Sequence, residues 1–180
     1  MRPTTTANGR PGSNGTGRPD IDPLAEAIRQ WEAHDFGALE HMAATTSITR
    51  IHQILVRRID RELQGFRLTF AQYESLVLLH FSSSGSLPLG KMGRRLMVHP
   101  ATITGTIDLL EEKGFVRREK AAVDRRQVLA TITPRGRAVV KKATTALVAV
   151  RYGLDQMTVA EAKVVANVIH DVRARMDDYV

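Results

Sequence analysis

The chain has 180 residues, 26 Lys and Arg against 19 Asp and Glu, a formal net charge of +7 and no cysteine. That length allows one good-sized core, or one domain plus a tail. The absence of thiols excludes disulfides, thiolate metal sites and cysteine-based oxidation sensing. No apolar run approaches the roughly 20 residues that span a bilayer, and no charged-then-apolar signal segment opens the chain. A soluble protein of the cytoplasm, without a membrane partner, is therefore expected.

Residues 1–20 are rich in Thr, Gly, Asn, Pro and Arg, with almost no apolar content, and read as a disordered tail. From Asp22-Pro23 to Phe36, Leu24, Ala27, Ile28 and Trp31 describe an amphipathic helix, with Asp22 as its cap, Pro23 in the first turn and Gly37 ending it. Trp31 packs on the protein or its partner, or stacks on a ligand. A long helix over Leu39 to Gln64 carries Ile48, Ile51, Leu55, Ile59 and Leu63 at mixed three-and-four spacing, and Gly65 ends it. Thr69 can cap the next helix, in which Tyr73, Leu76, Val77 and His80 share a stripe, before Ser82-Ser83-Ser84-Gly85 turns the chain.

Leu89, Met92 and Leu96 then recur at helical spacing, with Lys91, Arg94 and Arg95 on the other side. Met97-Val98-His99 breaks the pattern, and Pro100 fits the first turn of a second helix. There Ile103, Ile107 and Leu110 form the apolar stripe, which leaves Pro100, Ala101, Thr102, Thr104 and Gly105 on or near the opposite face. Gly114 fits the left-handed position after that helix. Two runs rich in β-branched residues follow, Phe115 to Lys120 and Val128 to Thr133, joined by a charged tip, Ala121 to Gln127. Arg117, Arg118, Arg125 and Arg126 give this hairpin an outward cationic surface. A helix-turn-helix puts its second helix in the major groove, and arginine is held in a narrow minor groove, so helix and hairpin would read adjacent grooves of double-stranded DNA. Between residues 88 and 142 there are 13 Lys and Arg against five acids, so the cationic field belongs to this region.

The passage Asp124-Arg125-Arg126, an apolar strand, and Ile132-Thr133-Pro134-Arg135-Gly136 resembles the wing signature of the multiple-antibiotic-resistance-regulator (MarR) winged-helix transcription factors, Asp-x-Arg followed by Leu-Thr-x-x-Gly. Ile132 replaces the usual Leu. The segment from Asp108 to Val116 is similar to the family's helix-to-wing passage, and the likeness runs from about residue 45 to 178. It implies that Arg126 enters the minor groove, that Asp124 orients it through a salt bridge, and that the helix beginning at Pro100 is the recognition helix. Gly105 stands where many members carry a basic residue, and Pro88 where a Ser or Thr cap is common.

The fold expected is mainly α with a small β-hairpin, a winged helix-turn-helix core flanked by long dimerisation helices. N-terminal dimerisation helices span 21–65, the DNA-binding domain 66–136 and C-terminal dimerisation helices 137–180. Thr133-Pro134 starts the first of these last helices. Thr158 and Glu161, in capping-box spacing, start the other, which carries Val164, Val165, Val168, Ile169 and Val172. The long helices bear more apolar stripe than one chain covers, and a homodimer follows, also by the resemblance. The resemblance further implies a repressor on a pseudo-palindromic promoter site, released by a small aromatic or amphipathic effector, with His52 and His80 on helices that border its pocket. The six histidines lack metal-ligand spacing, and no phosphate loop or nucleophile motif occurs, so neither an enzyme nor a cofactor is expected. The competing reading is a winged-helix protein-docking module without DNA function, to which a wing-tip arginine held by Asp124 would be of no use.

Overall fold

The computed structural model describes residues 22–120, 127–176 and 178. The expected tail, and the wing tip with Asp124, Arg125 and Arg126, lie outside the described residues. Among the described residues the elements are α1 (Pro23–Ala33), α2 (Leu39–Leu63), α3 (Phe70–Phe81), β1 (Ser86–Pro88), α4 (Leu89–Arg95), α5 (Pro100–Glu112), β2 (Val116–Lys120), β3 (Val128–Ile132), α6 (Pro134–Ala149) and α7 (Val159–Arg175). This is the expected mainly helical fold with a small antiparallel sheet. The chain forms two compact units, and the division between Arg50 and Ile51 falls inside α2.

In the first unit Asp22 caps α1 as expected, its Oδ1 accepting from the Leu24 N–H at 3.0 Å. The helix stops at Ala33, three residues before the expected Phe36. Trp31 closes the exit: its ring meets Phe36 edge-on at 5.1 Å, and its Nε1 donates to the Gly37 carbonyl at 2.7 Å. Asp35, Gly37 and Ala38 all take positive φ around it.

The second unit holds the core. Leu63, Leu76, Leu79, Met92, Ile103, Ile107, Leu110 and Leu147 are essentially inaccessible, and each such burial is worth roughly 1.5–3 kcal/mol. The end of α2 differs from expectation. The left-handed residue there is Arg67 (φ 58°), not Gly65, which sits inside a 3₁₀ turn. The Leu68 N–H reaches back to the Leu63 carbonyl at 3.3 Å, and both side chains are buried. That apolar pair fixes where the helix stops, overriding the glycine. Thr69 then caps α3 in a reciprocal box with Gln72, at 3.3 and 3.2 Å.

The sheet has a strand that the pattern of residues did not announce. Its order is β1-β3-β2, all antiparallel, with Ser86 opposite Thr131 and Val116 opposite Ile132. Three residues ending in proline are too few to display alternation. The strand exists because β3 offers its second edge, and Thr131 Oγ1 donates to Ser86 Oγ at 2.9 Å. Gly114 (φ 72°) ends the α5 segment as expected, with its N–H on the Glu111 carbonyl at 2.8 Å. Thr158 and Glu161 form the expected capping box on α7. The Thr158 backbone N–H and hydroxyl together hold the Glu161 carboxyl below its usual range.

Candidate nucleic-acid interface

Helix α5, the expected recognition helix, is positioned from beneath and from behind. Beneath, Ile103, Ile107 and Leu110 are buried in the core. Behind, α4 comes close because Gly93 has no side chain: a Cβ there would stand 3.3 Å from the Val98 carbonyl and 3.4 Å from Ile103. The chain reverses between the two helices through Met97 (φ 51°), and the Val98 N–H returns to the Gly93 carbonyl at 3.0 Å. His99 caps α5, its Nδ1 accepting from the Ala101 N–H at 3.2 Å. The ring must therefore carry no proton on that nitrogen for the cap to form.

This scaffold leaves Pro100, Ala101, Thr102 and Gly105 exposed and Thr104 half-buried, the face expected from helical periodicity. Thr104 Oγ1 donates to the Pro100 carbonyl at 2.9 Å. Its proton is thereby committed, so towards a base edge the hydroxyl can only accept. A Cβ on Gly105 would meet nothing within 4 Å, so core packing does not require the glycine. It simply keeps the helix surface low.

Of the expected cations, Arg94 and Arg95 occupy the last turn of α4 and are exposed, and α4 itself starts at Pro88 without a side-chain cap. A concavity of about 540 Å³ between α4, α5 and the hairpin brings Lys91, Arg94, Thr104 and Arg118 together. Arg118 is not available on the terms the sequence suggested. Its guanidinium is paired with Asp108 on α5, and its backbone N–H donates to Glu111 Oε1 at 2.8 Å. The residue thus clamps β2 to α5. Arg117, on the other strand face, is exposed and pairs with Glu119 at 2.7 Å.

A second concavity, of about 700 Å³, lies between α3 and α6 and is lined mainly by Phe70, Tyr73, Val77, Leu78, Phe81, Leu96, Val140 and Tyr152, with Glu74, His80, Lys141, Thr144 and Thr145 as further polar members. His80 is among its lining residues. His52 does not line it. His80 Nδ1 is buried without a hydrogen-bond partner among the described residues, and burial pushes the Glu74 carboxyl above its usual range, partly offset by His52. The Tyr73 hydroxyl bonds Thr144 Oγ1 at 2.9 Å and the Tyr152 hydroxyl at 3.1 Å. The bond to Tyr73, with burial, raises the Tyr152 pKa to about 12, so that phenol keeps its proton through the ordinary pH range. Sequence reasoning missed this cluster because Tyr73 and Tyr152 are 79 positions apart.

Among the described residues no group of His, Asp and Glu could hold a metal ion, and no helix is long and apolar enough to cross a membrane. The MarR family model matches residues 68–128, which take in α3 through the start of β3. The transcriptional regulator YhbI of Bacillus subtilis is 32% identical over 94 residues, and the match spans 52% of this chain and 60% of that protein. The crystal structure of Sco5413, a MarR family transcriptional regulator from Streptomyces coelicolor, is 42% identical with a TM-score of 0.74 over 79% of this chain and 99% of that one. Sco3205, a MarR family regulator from the same organism solved in complex with DNA, shares the fold at 21% identity, with a TM-score of 0.69 over 79% of this chain and 94% of that one. A winged helix-turn-helix with an exposed outer face on α5 and a 42% identical relative matched over nearly its whole length lead to one conclusion: the chain belongs to the MarR family of transcriptional regulators.

Proposed function

We propose that the protein is a homodimeric, sequence-specific DNA-binding repressor that occupies a pseudo-palindromic promoter site in the cytoplasm and is released by a small aromatic or amphipathic effector. The observation that carries this reading is the exposed face of α5, Pro100, Ala101, Thr102 and Gly105, set beside cations on α4 that have no acidic partner among the described residues. On this reading residues 66–136 bind DNA, while 21–65 and 137–180 dimerise. Arg94, Arg95 and Arg117 meet phosphates, Arg118 holds β2 in place, and Arg125 and Arg126 work at the wing tip with Asp124 orienting Arg126. The α3–α6 cavity is the effector site, since it has the size and the apolar lining with few polar groups that small ligands select. A gel shift with the gene's own upstream DNA tests the reading. Binding should be saturable, outcompete random duplex, and weaken steeply with salt, because counterions released from the phosphates gain less entropy in a more concentrated solution. Binding no tighter than to random duplex would overturn it.

Two variants probe the contacts. Arg126→Ala should cost about 1–3 kcal/mol of operator binding while leaving the melting temperature unchanged, as expected for loss of one groove contact at a tip. Equal affinity at about 150 mM salt, where surface charges remain effective over roughly 8 Å, would remove the wing from the interface. Thr104→Val keeps the shape of α5 but deletes an acceptor. It should relax base preference at one position of each half-site, by about 1–3 kcal/mol of discrimination, when binding sites are selected from a random pool. An unchanged preference would shift specificity to DNA shape.

A further inference from the structure

We propose that the Tyr152 hydroxyl is a latch that holds the joint between α6 and α7 in a left-handed conformation, and that an acceptor entering the α3–α6 cavity releases it. The proposal rests on the effector reading of that cavity and names how occupancy would reach α7. Arg151, Tyr152 and Gly153 have φ of 47°, 54° and 80°. Three successive left-handed residues, two of them bearing Cβ atoms, are costly and persist only where the surroundings hold them.

Besides its own short-range bonds, among them Arg151 Nη1 donating to the Met157 carbonyl at 3.3 Å, two groups of contacts tie this joint to the body. On the α2 side Arg58 Nη1 donates to the Gly153 carbonyl at 2.6 Å, and its Nη2 stands 3.0 Å from Asp155. On the cavity side Tyr152 is tied to Tyr73, which is tied in turn to Thr144. Only the second group faces the cavity, since Tyr73, Thr144 and Tyr152 all line it and Arg58 does not. A neutral phenol–phenol bond is weak beside one to an anionic oxygen. An anion with an apolar body, admitted by the aromatic lining and held by Lys141 against the opposing Glu74 carboxyl, would compete with Tyr73 for the Tyr152 hydroxyl. Once that tie is lost, Arg58 alone holds the joint to the body, and the left-handed turn that aims α7 is weakened. Because α7 carries the valine face proposed for dimerisation, occupancy would be felt as a change in the spacing of the two recognition helices.

Hydrogen exchange on the full-length protein tests the latch before any ligand is involved. Tyr152→Phe and Tyr73→Phe each keep the ring and delete the bond. Both should speed amide exchange over residues 150–158 by about three- to tenfold, the worth of one net hydrogen bond, with α3 unchanged. Exchange at the wild-type rate in both variants overturns the proposal. Anilinonaphthalene sulfonate, a fluorescent apolar anion, supplies the second arm. It should speed the same segment in wild type and add nothing in Tyr152→Phe, a non-additivity that a merely structural tyrosine would not give. Fluorescence enhancement without a change in the wild-type joint overturns the coupling and leaves the effector cavity standing. No enhancement in wild type counts against the effector reading, and the ligand-free variants still decide the latch.

Discussion

Replacing Val168 and Val172 together by aspartate is expected to split the protein into monomers and to abolish detectable operator binding. Helix α7 has no buried residue among those described, and Val164, Val165 and Val168 are 63%, 49% and 56% exposed. A run of β-branched side chains left in water along one helix is a face awaiting cover, and covering each valine is worth roughly 1.5–3 kcal/mol. Two carboxylates in the middle of that face would have to be desolvated without partners on dimerisation. The core of Ile103, Ile107, Leu110 and their neighbours is untouched, so helical content and the melting of the monomeric core should survive. DNA binding should not. Two linked recognition helices gain on the order of 10²–10⁴ in avidity over one, and that factor disappears with the dimer. Light scattering reads the outcome directly: wild type at twice 20.0 kDa, the variant at a single chain. Wild type at the mass of one chain would overturn both the interface and the palindromic site.

What could be read from the residues was whatever depends on neighbours in sequence. Apolar spacing located α2 to α7, because a helix's face is set within a few turns. Asp22, Thr69, Thr158 with Glu161, and Gly114 marked helix ends because caps act over two to five residues. The failures lie where packing or pairing overrode the local signal. Gly65 looked like a stop, yet the stop is Arg67, decided by burial of Leu63 against Leu68. Phe36 looked helical, yet Trp31 folds the exit back onto Gly37. β1 carries no periodicity of its own and is called into being by an open edge of β3.

The candidate site divides in the same way. The exposed face of α5 was legible, since periodicity places Pro100, Ala101, Thr102 and Gly105 opposite the buried stripe. The role of Arg118 was not. Composition counts it among the free cations, whereas the turn from α5 into β2 brings it onto Asp108 ten positions earlier. Exposure and charge suggest which cations a surface offers; only the fold tells which of them are already engaged. The α3–α6 cavity was still further from reach, for its hydroxyl cluster draws on residues 73, 144 and 152.

Gly136→Ala is expected to be strongly destabilising, although alanine is the better helix former. The residue lies in the first turn of α6, where Thr133 Oγ1 accepts its N–H at 3.0 Å and itself donates to the Gly114 carbonyl at 2.9 Å. A Cβ at Gly136 would clash with the Phe115 carbonyl oxygen and stand 2.8 Å from Ile132 Cγ1. Neither neighbour can yield cheaply. The Phe115 carbonyl accepts the Thr133 N–H at 3.0 Å, and Ile132 is buried in the core. Overpacking costs about 1–3 kcal/mol and a broken hydrogen bond about 1 more. At roughly 2–4 °C per kcal/mol for a domain of this size, the melting temperature should fall by on the order of 5–15 °C. The Thr-x-x-Gly part of the wing signature is thus a packing device that presses α6 onto the hairpin. Gly105→Ala supplies the contrast, since its Cβ meets nothing: it should stabilise α5 by about 0.5–1 kcal/mol, and it should weaken operator binding if that face lies in the groove. A melting temperature for Gly136→Ala within a degree or two of wild type would show that α6 can shift, and would return the glycine to an unexplained part of the signature.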